Sequence, residues 1–196
     1  MRLILASSSK TRRMLLNRIC GNSFETLAPE IDETPLSSED PKKLSERLSL
    51  EKALKISELN QDAVVIGSDQ VAFCDGKILK KSKNLEDAFE QISWQIGKQT
   101  TFFTGLALAR HGGKEVQSGT ITSRVFYRDS DFISEKLVRN YVENERPLNC
   151  AGSTKLESLG ICFIKRVETE DPSALMGLPL IKLCSFLKKW NVHPFA

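Results

Sequence analysis

Short apolar runs alternate with amphipathic stretches along most of this chain. Arg2 to Ala6 reads as a first strand and Phe24 to Ala28 as a second. Val64-Val65-Ile66 sets three β-branched apolar residues in a row, the pattern of a strand buried on both faces. Gly67 and Ser68 then release the chain and Asp69 follows at once. Val71 to Cys74 and Lys77 to Leu79 flank Asp75-Gly76, a two-residue turn signal, and predict a hairpin. Thr100 to Arg110 and Glu115 to Tyr127 predict two long strands around His111-Gly112-Gly113, and Ile161 to Val167 predicts a last strand.

Between these runs the apolar period lengthens to that of a helix. Met14, Leu15 and Ile19 recur at helical spacing after Ser7-Ser8-Ser9 and Lys10-Thr11-Arg12-Arg13. Pro41 to about Leu59 predicts a helix with Pro41 in its first turn. Leu44, Leu48, Ala53 and Ile56 form most of its apolar face, and Glu51 and Lys52 sit inside it. Leu85 to Ile96 keeps strict spacing until Gly97 ends it. Ser130 is placed to cap a helix through about Val142, with Phe132, Ile133, Leu137, Val138, Tyr141 and Val142 mostly facing the core. Asn149 to Gly160 has no clear period. Asp171-Pro172-Ser173 leads to a final helix carrying Leu180, Leu183, Cys184 and Leu187. Strands alternating with helices argue for an α/β domain with a mixed sheet. There is no internal repeat and no linker, so residues 1–196 read as a single domain.

Composition narrows the function classes. With 40% hydrophobic and 27% charged residues over 196 positions, this is ordinary globular material. A net charge of +3 makes no case for nucleic acid and suits a pocket for anions. Cys20, Cys74, Cys150, Cys162 and Cys184 lie far apart, odd in number and without a CxxC pair, so reduced thiols are expected rather than zinc or a disulfide framework. No apolar run approaches a membrane span, and Leu3-Ile4-Leu5-Ala6 is too short for a signal segment. A cytoplasmic protein is expected, with no membrane partner. His111 and His193 lie beside a turn and at the tail, which points away from histidine catalysis.

Four stretches carry candidate chemistry, each with a plainer alternative. A strand, then Ser7-Ser8-Ser9, then a helix start presents backbone N–H groups and a dipole end to an anion, and Arg12 and Arg13 can add bidentate contacts. It is no Walker A loop, and it reads equally as a capped helix with a solvated basic first turn. Pro29-Glu30-Ile31-Asp32-Glu33-Thr34-Pro35 can ligate Mg²⁺ or simply face solvent. Lys80-Lys81-Ser82-Lys83 can be a solvated edge or can aim a cation at a polyphosphate, and Lys52 is open in the same way. Asp69 either closes a turn or, at the carboxyl end of a strand, holds a metal or activates water.

Taken together, these pieces resemble the Maf family of nucleotide pyrophosphatases over nearly the whole chain. The resemblance rests on Leu5-Ala6-Ser7 with Arg12-Arg13, the Pro29–Pro35 stretch, Glu51-Lys52-Ala53, Gly67-Ser68-Asp69-Gln70, Phe103-Thr104-Gly105, Cys150-Ala151-Gly152-Ser153 and Gly177-Leu178-Pro179-Leu180. It implies a Maf/ITPase-like fold, a long mixed sheet flanked by helices, with two lobes and a cleft between them. It implies hydrolysis of a nucleoside triphosphate to the monophosphate and diphosphate with Mg²⁺ or Mn²⁺, and leans toward a homodimer. By that resemblance Asp69 is catalytic, Glu33 and Asp69 bind the metal, and Ser7, Arg12, Arg13, Lys52 and Lys81 bind the phosphates.

Ser68-Asp69-Gln70, Cys150-Ala151-Gly152-Ser153 and Glu157 are similar to the branch that acts on 7-methyl-GTP. The dTTP/UTP branch usually shows Ala-Asp-Thr and a glutamine at those places. A carboxylate such as Glu157 can accept the N–H donors of a methylated guanine and attract its positive charge. Thr11, Gln70 and Glu157 are the expected base contacts. Two departures stand out: Thr11 replaces a common aromatic residue, and Lys80-Lys81-Ser82 replaces Gly-Lys-Pro. A dTTP/UTP pyrophosphatase and a non-hydrolysing nucleotide-binding regulator linked to cell division are the alternatives.

Overall fold

In a computed structural model, which describes residues 2–193, the alternating pattern becomes a mixed sheet flanked by helices. The order is β1 (Arg2–Ala6), α1 (Lys10–Cys20), β2 (Glu25–Leu27), α2 (Pro41–Ser57), β3 (Ala63–Cys74), β4 (Lys77–Leu79), α3 (Leu85–Gln95), β5 (Gln99–Arg110), β6 (Glu115–Tyr127), α4 (Glu135–Glu145), β7 (Ile164–Glu168) and α5 (Leu180–Lys189). Two 3₁₀ turns, Leu159–Phe163 and Pro172–Met176, precede β7 and α5. Among the described residues, seven strands form one sheet in the order β2-β1-β3-β5-β6-β7, with β4 paired to β3 off that path. β1 is parallel to β2 and β3, while β4 is antiparallel to β3 and β7 to β6. No described helix is long and apolar enough to cross a membrane.

The chain divides into two compact units. The first takes the chain up to Gln70, then Thr104–Ile121, then the chain from Asp171 on; the second takes Val71–Phe103 and Thr122–Glu170.

In the first unit the two faces of β3 follow the strand period of two. Val64 and Ile66 join Leu3, Leu5, Leu15, Leu16, Leu106, Leu108, Leu178, Leu183 and Leu187 in the larger apolar cluster, against α1 and α5. Ala63 and Val65 join Ile4, Ala6 and Ile56 on the face covered by α2. Gly67 and Asp69 continue this second face, and Ser68 and Gln70 the first.

Several boundaries differ from expectation. β3 does not end at Ile66: it runs unbroken through Gly67, Ser68, Asp69 and Gln70 to Cys74. Gly67 serves close packing instead. A Cβ there would stand 2.2 Å from the Ser49 carbonyl oxygen, and one on Gly105 would stand 2.2 Å from that of Ser45. The two glycines let the α2 backbone lie directly on β3 and β5. Asp69 is therefore a mid-strand residue. The strand end that opens beside it belongs to β1, whose Ala6 pairs with Gly67.

Ser134, not Ser130, caps α4, its Oγ accepting from the Leu137 amide at 3.2 Å. The capped turn leaves Phe132 and Leu137 exposed rather than in the core. The last strand starts at Ile164, because Leu159–Phe163 winds into a 3₁₀ turn that seats Phe163 edge-on to Tyr141 at 4.9 Å between ring centroids. The Asp75-Gly76 hairpin is as predicted, with φ of 49° and 79°, the positive pair that a tight β-turn of this kind requires.

Candidate active site

The first unit gathers most of the charged candidates around Lys52. Because α2 lies close on β3, this lysine on its buried face reaches the strand. Its Nζ is 2.6 Å from Asp69 Oδ1 and 2.6 Å from Glu33 Oε1. Lys52 and Asp69 are 5% and 7% exposed, whereas Glu33 presents half of its side chain to solvent. One buried ammonium thus joins a buried acid to an acid on the open Pro29–Pro35 loop. Two carboxylates are hard oxygen donors that suit Mg²⁺ or Mn²⁺ when phosphate oxygens and water complete the shell. Among the described residues no third His, Cys, Asp or Glu joins such a group.

The loop that carries Glu33 is held by a residue absent from the sequence reading. Arg47 Nε and Nη2 grip Glu39 at 2.7 and 2.8 Å, Nη1 meets both Glu51 oxygens at 3.2 Å, and Nη2 reaches the Thr34 carbonyl at 3.2 Å. The Arg47 fork draws the Glu39 carboxyl down to about 2. Glu39, just before α2, and Arg47 and Glu51, one turn apart within it, are ordinary charged positions and give no signal in a hydropathy pattern.

The start of α1 is a serine-capped helix end. Ser9 is the N-cap, its Oγ accepting from the Arg12 amide at 3.3 Å, and Ser7 Oγ accepts from the Ser9 amide at 3.1 Å. The Lys10 and Thr11 amides remain as donors at the helix start. Arg13 is exposed, and Thr11 is half-buried.

Arg12 is held from the far end of the chain. Its Nε donates to the Gly177 carbonyl at 2.8 Å. Burial lowers the pKa of this guanidinium, and the charges of Asp69 and Glu33 oppose that shift, so the three groups share one electrostatic field. The same Gly177 carbonyl lies 2.9 Å from Ser68 Oγ, which also reaches the Gly105 carbonyl at 2.7 Å. Gly177 has φ of 94°, where an L side chain is strained.

Gln70 faces the same Pro172–Met176 turn. Its Nε2 donates to the carbonyls of Ala174 and Leu175 at 2.8 and 3.2 Å and lies 3.1 Å from Thr104 Oγ1. The turn itself is fastened to α5 by buried Asp171, whose Oδ2 accepts from the Ile181 and Lys182 amides at 2.8 and 3.2 Å. In the sequence Asp171-Pro172-Ser173 reads only as a lead into the final helix, and the link from Gly177 to Arg12 spans 165 residues with no local signature.

Lys81 and Glu157 belong to the second unit, where both are exposed. Lys81 forms an isolated antiparallel bridge with Ala151. Cys150 lies in the field of both: burial raises its thiol pKa, Glu157 adds to the rise, and Lys155 and Lys81 oppose it. Next to them, Ser82 Oγ is 2.5 Å from Ser153 Oγ and accepts from Gln91 Nε2 at 3.0 Å. The Ser82–Ser153 hydrogen bond thus ties the lysine stretch to Cys150-Ala151-Gly152-Ser153. That segment is further fixed by Gln95 Nε2 donating to the Gly152 carbonyl at 2.7 Å and by Tyr127 and Tyr141.

Comparison with known proteins gives first a fold class. A HAM1 protein from Coxiella burnetii superposes with a TM-score of 0.52 at 11% identity, covering 96% of this chain and 99% of its own. The α/β arrangement is therefore that of HAM1-like structures. The family follows from sequence: the model for Maf-like protein matches residues 2–190, and the chain belongs to that family. It is 41% identical over 195 residues to a protein of Pseudoalteromonas atlantica, covering 100% of this chain and 98% of the relative. It is 44% identical over 191 residues to one of Pseudomonas aeruginosa, covering 97% of each. Both relatives are named 7-methyl-GTP pyrophosphatase.

Proposed function

We propose that this chain hydrolyses 7-methyl-GTP to 7-methyl-GMP and diphosphate, removing a modified nucleotide. The observation that carries the reading is the buried Lys52 holding Asp69 and Glu33 within the field of an anchored Arg12. An acid to handle water and fixed cations to receive a polyphosphate are what phosphoryl chemistry needs. The shared name of the two full-length relatives supports the choice of substrate.

In the reaction the oxygen of water attacks the α-phosphorus. The bond from that phosphorus to the α–β bridging oxygen breaks, and diphosphate leaves with the electron pair. Asp69 orients the water by accepting its hydrogen bond and takes its proton as the new P–O bond forms. Lys52, held against Asp69, directs its remaining N–H at a phosphate oxygen. The Ser7 hydroxyl, the α1 amides, Arg12 and Arg13 neutralise charge that grows on the phosphates. Glu33 and Asp69 would hold a Mg²⁺ or Mn²⁺ ion, which when bound supplies charge neutralisation and polarises phosphate oxygens.

Lys81 and Glu157 are assigned a phosphate contact and a base contact by the same reading. Thr11 lines the base site, and Gln70 acts there through its carbonyl oxygen and through the turn it fastens. A carboxylate at Glu157 suits the cationic, N–H-rich edge of 7-methylguanine better than an uncharged pyrimidine. The reading extends to a cytoplasmic homodimer, on the family resemblance.

The test is diphosphate release with Mg²⁺ over a panel of triphosphates. 7-Methyl-GTP should give the highest kcat/KM, and Glu157→Gln should reduce that preference selectively. Higher kcat/KM for dTTP or UTP would contradict the substrate, and nucleotide binding without release would contradict the activity.

A further inference from the structure

We infer that Arg47 is a positioning residue that sets Glu33 by clamping the acidic loop onto α2. The inference rests on the proposed pyrophosphatase reading for its kinetic consequence, and on geometry for the rest.

A guanidinium has five N–H donors in a fixed fork. Here all five have acceptors: one on Nε meets Glu39 Oε1, two on Nη1 meet Glu51, and two on Nη2 meet Glu39 Oε2 and the Thr34 carbonyl. The acceptors come from three different places: the loop backbone, the loop's C-terminal end and the next turn of α2. Glu39 Oε2 also accepts from the Leu36 amide at 3.0 Å, and Asp32 Oδ1 accepts from the Thr34 amide at 2.9 Å. Asp32 to Glu39 is thereby stitched into one piece, and Arg47 fastens that piece to the helix.

Glu33 precedes Thr34, whose carbonyl Arg47 holds. Its own carboxylate meets Lys52, five residues further along the same helix. One helix therefore grips the loop at two points, on either side of the Glu33 backbone-to-side-chain span. The loop has no regular secondary structure between Ala28 and Leu36, so the fork replaces the ladder or helix bonds that would otherwise fix it. Glu51 acquires a role in the Glu51-Lys52-Ala53 stretch: it orients Arg47 from one turn away, as i,i+4 pairs do. Lysine could not do this, since a single ammonium cannot span three acceptors in a plane.

The experiment places Arg47→Ala and Arg47→Lys in two backgrounds, native and Glu33→Gln. kcat for diphosphate release is measured at saturating 7-methyl-GTP, with enzyme concentration raised as far as substrate excess allows so that slow turnover is still read. Amide hydrogen exchange is followed over residues 30–37. Arg47→Lys keeps the charge and preserves the test if the alanine variant does not fold. In the native background kcat should fall roughly 10- to 100-fold, the size expected when a reacting group is displaced by about 1 Å. In the Glu33→Gln background the further loss should be under about twofold, because a residue acting through Glu33 has nothing left to set. The Glu33 and Thr34 amides should exchange faster in both Arg47 variants. Equal losses in the two backgrounds, or an unchanged kcat, would overturn the inference. If the native protein releases no diphosphate from any triphosphate, the pyrophosphatase reading fails on its own. Exchange then decides the clamp: unchanged protection at Glu33 and Thr34 overturns it, and faster exchange sustains it.

Discussion

A Cβ on Gly67 would stand 2.2 Å from the carbonyl oxygen of Ser49, so α2 rests on β3 backbone to backbone at the level of Lys52 and Asp69. Gly67→Ala must push the helix outward, since the clash is with main chain and cannot be relieved by a rotamer. The expected cost is roughly 1–3 kcal/mol of stability, as for other overpacked cores. Lys52 retreats with the helix, so turnover should fall more than stability alone explains. Urea midpoints and kcat measured on one preparation check both.

Lys52 is the only buried cation described between Asp69 and Glu33, and its removal leaves Asp69 without a partner ammonium. Lys52→Met should destabilise by about 3 kcal/mol, the range for stripping one member of a buried pair. The same substitution in an Asp69→Asn background should cost less, because no buried charge is then stranded. Equal costs in the two backgrounds, read by denaturant unfolding, would show that the pair carries no coupling.

The Glu39–Arg47 contact gives a pH dependence with a definite sign. The carboxyl is held at about 2 in the folded chain against an ordinary value of 4.5. Its contribution is therefore full above about pH 4.5 and is lost as the pH falls toward 2. Native protein should be more stable than Glu39→Gln at pH 6, and the gap should close progressively between those two values. Unfolding midpoints across that range measure it, and a gap that widens on acidification would have the wrong sign.

Gly177 is the point where Arg12 and Ser68 converge. Its φ of 94° disfavours any side chain, and a Cβ would lie 3.3 Å from Arg12 Nε. Gly177→Ala should cost about 1–2 kcal/mol in strain. It should also raise KM for the triphosphate, because the guanidinium loses its fixed aim. Steady-state kinetics over substrate concentration separate that effect from a loss of folded enzyme.

Most strand positions, both glycine-containing hairpins and the serine-capped start of α1 were legible because each has a local signature: period, turn chemistry or capping serines. The packing of α2 was not. Ser45 and Ser49 are buried with their hydroxyls donating to the Lys42 and Glu46 carbonyls at 2.8 Å, so polar letters line an inward face. Residues 45, 49, 53 and 57 form a small-residue stripe at i,i+4 spacing, a signal that a hydropathy period overlooks. Gly67 was taken to release the strand when its function is to admit the helix. Arg47 with Glu39, and Arg12 with Gly177, depend on chain segments brought together only by folding, and no short motif announces them.

The proposed reaction depends on Asp69 acting as the base from a mid-strand site beside Lys52. Its direct test is diphosphate release from 7-methyl-GTP by Asp69→Asn, which keeps shape and an acceptor oxygen but cannot take a proton. Asp69→Asn should still unfold cooperatively and bind nucleotide, with a midpoint lowered by the weakened Lys52 pair, while turnover falls by roughly 10³-fold or more, since both a base and a metal-binding oxygen change character. Near-native turnover in a folded Asp69→Asn protein would contradict it.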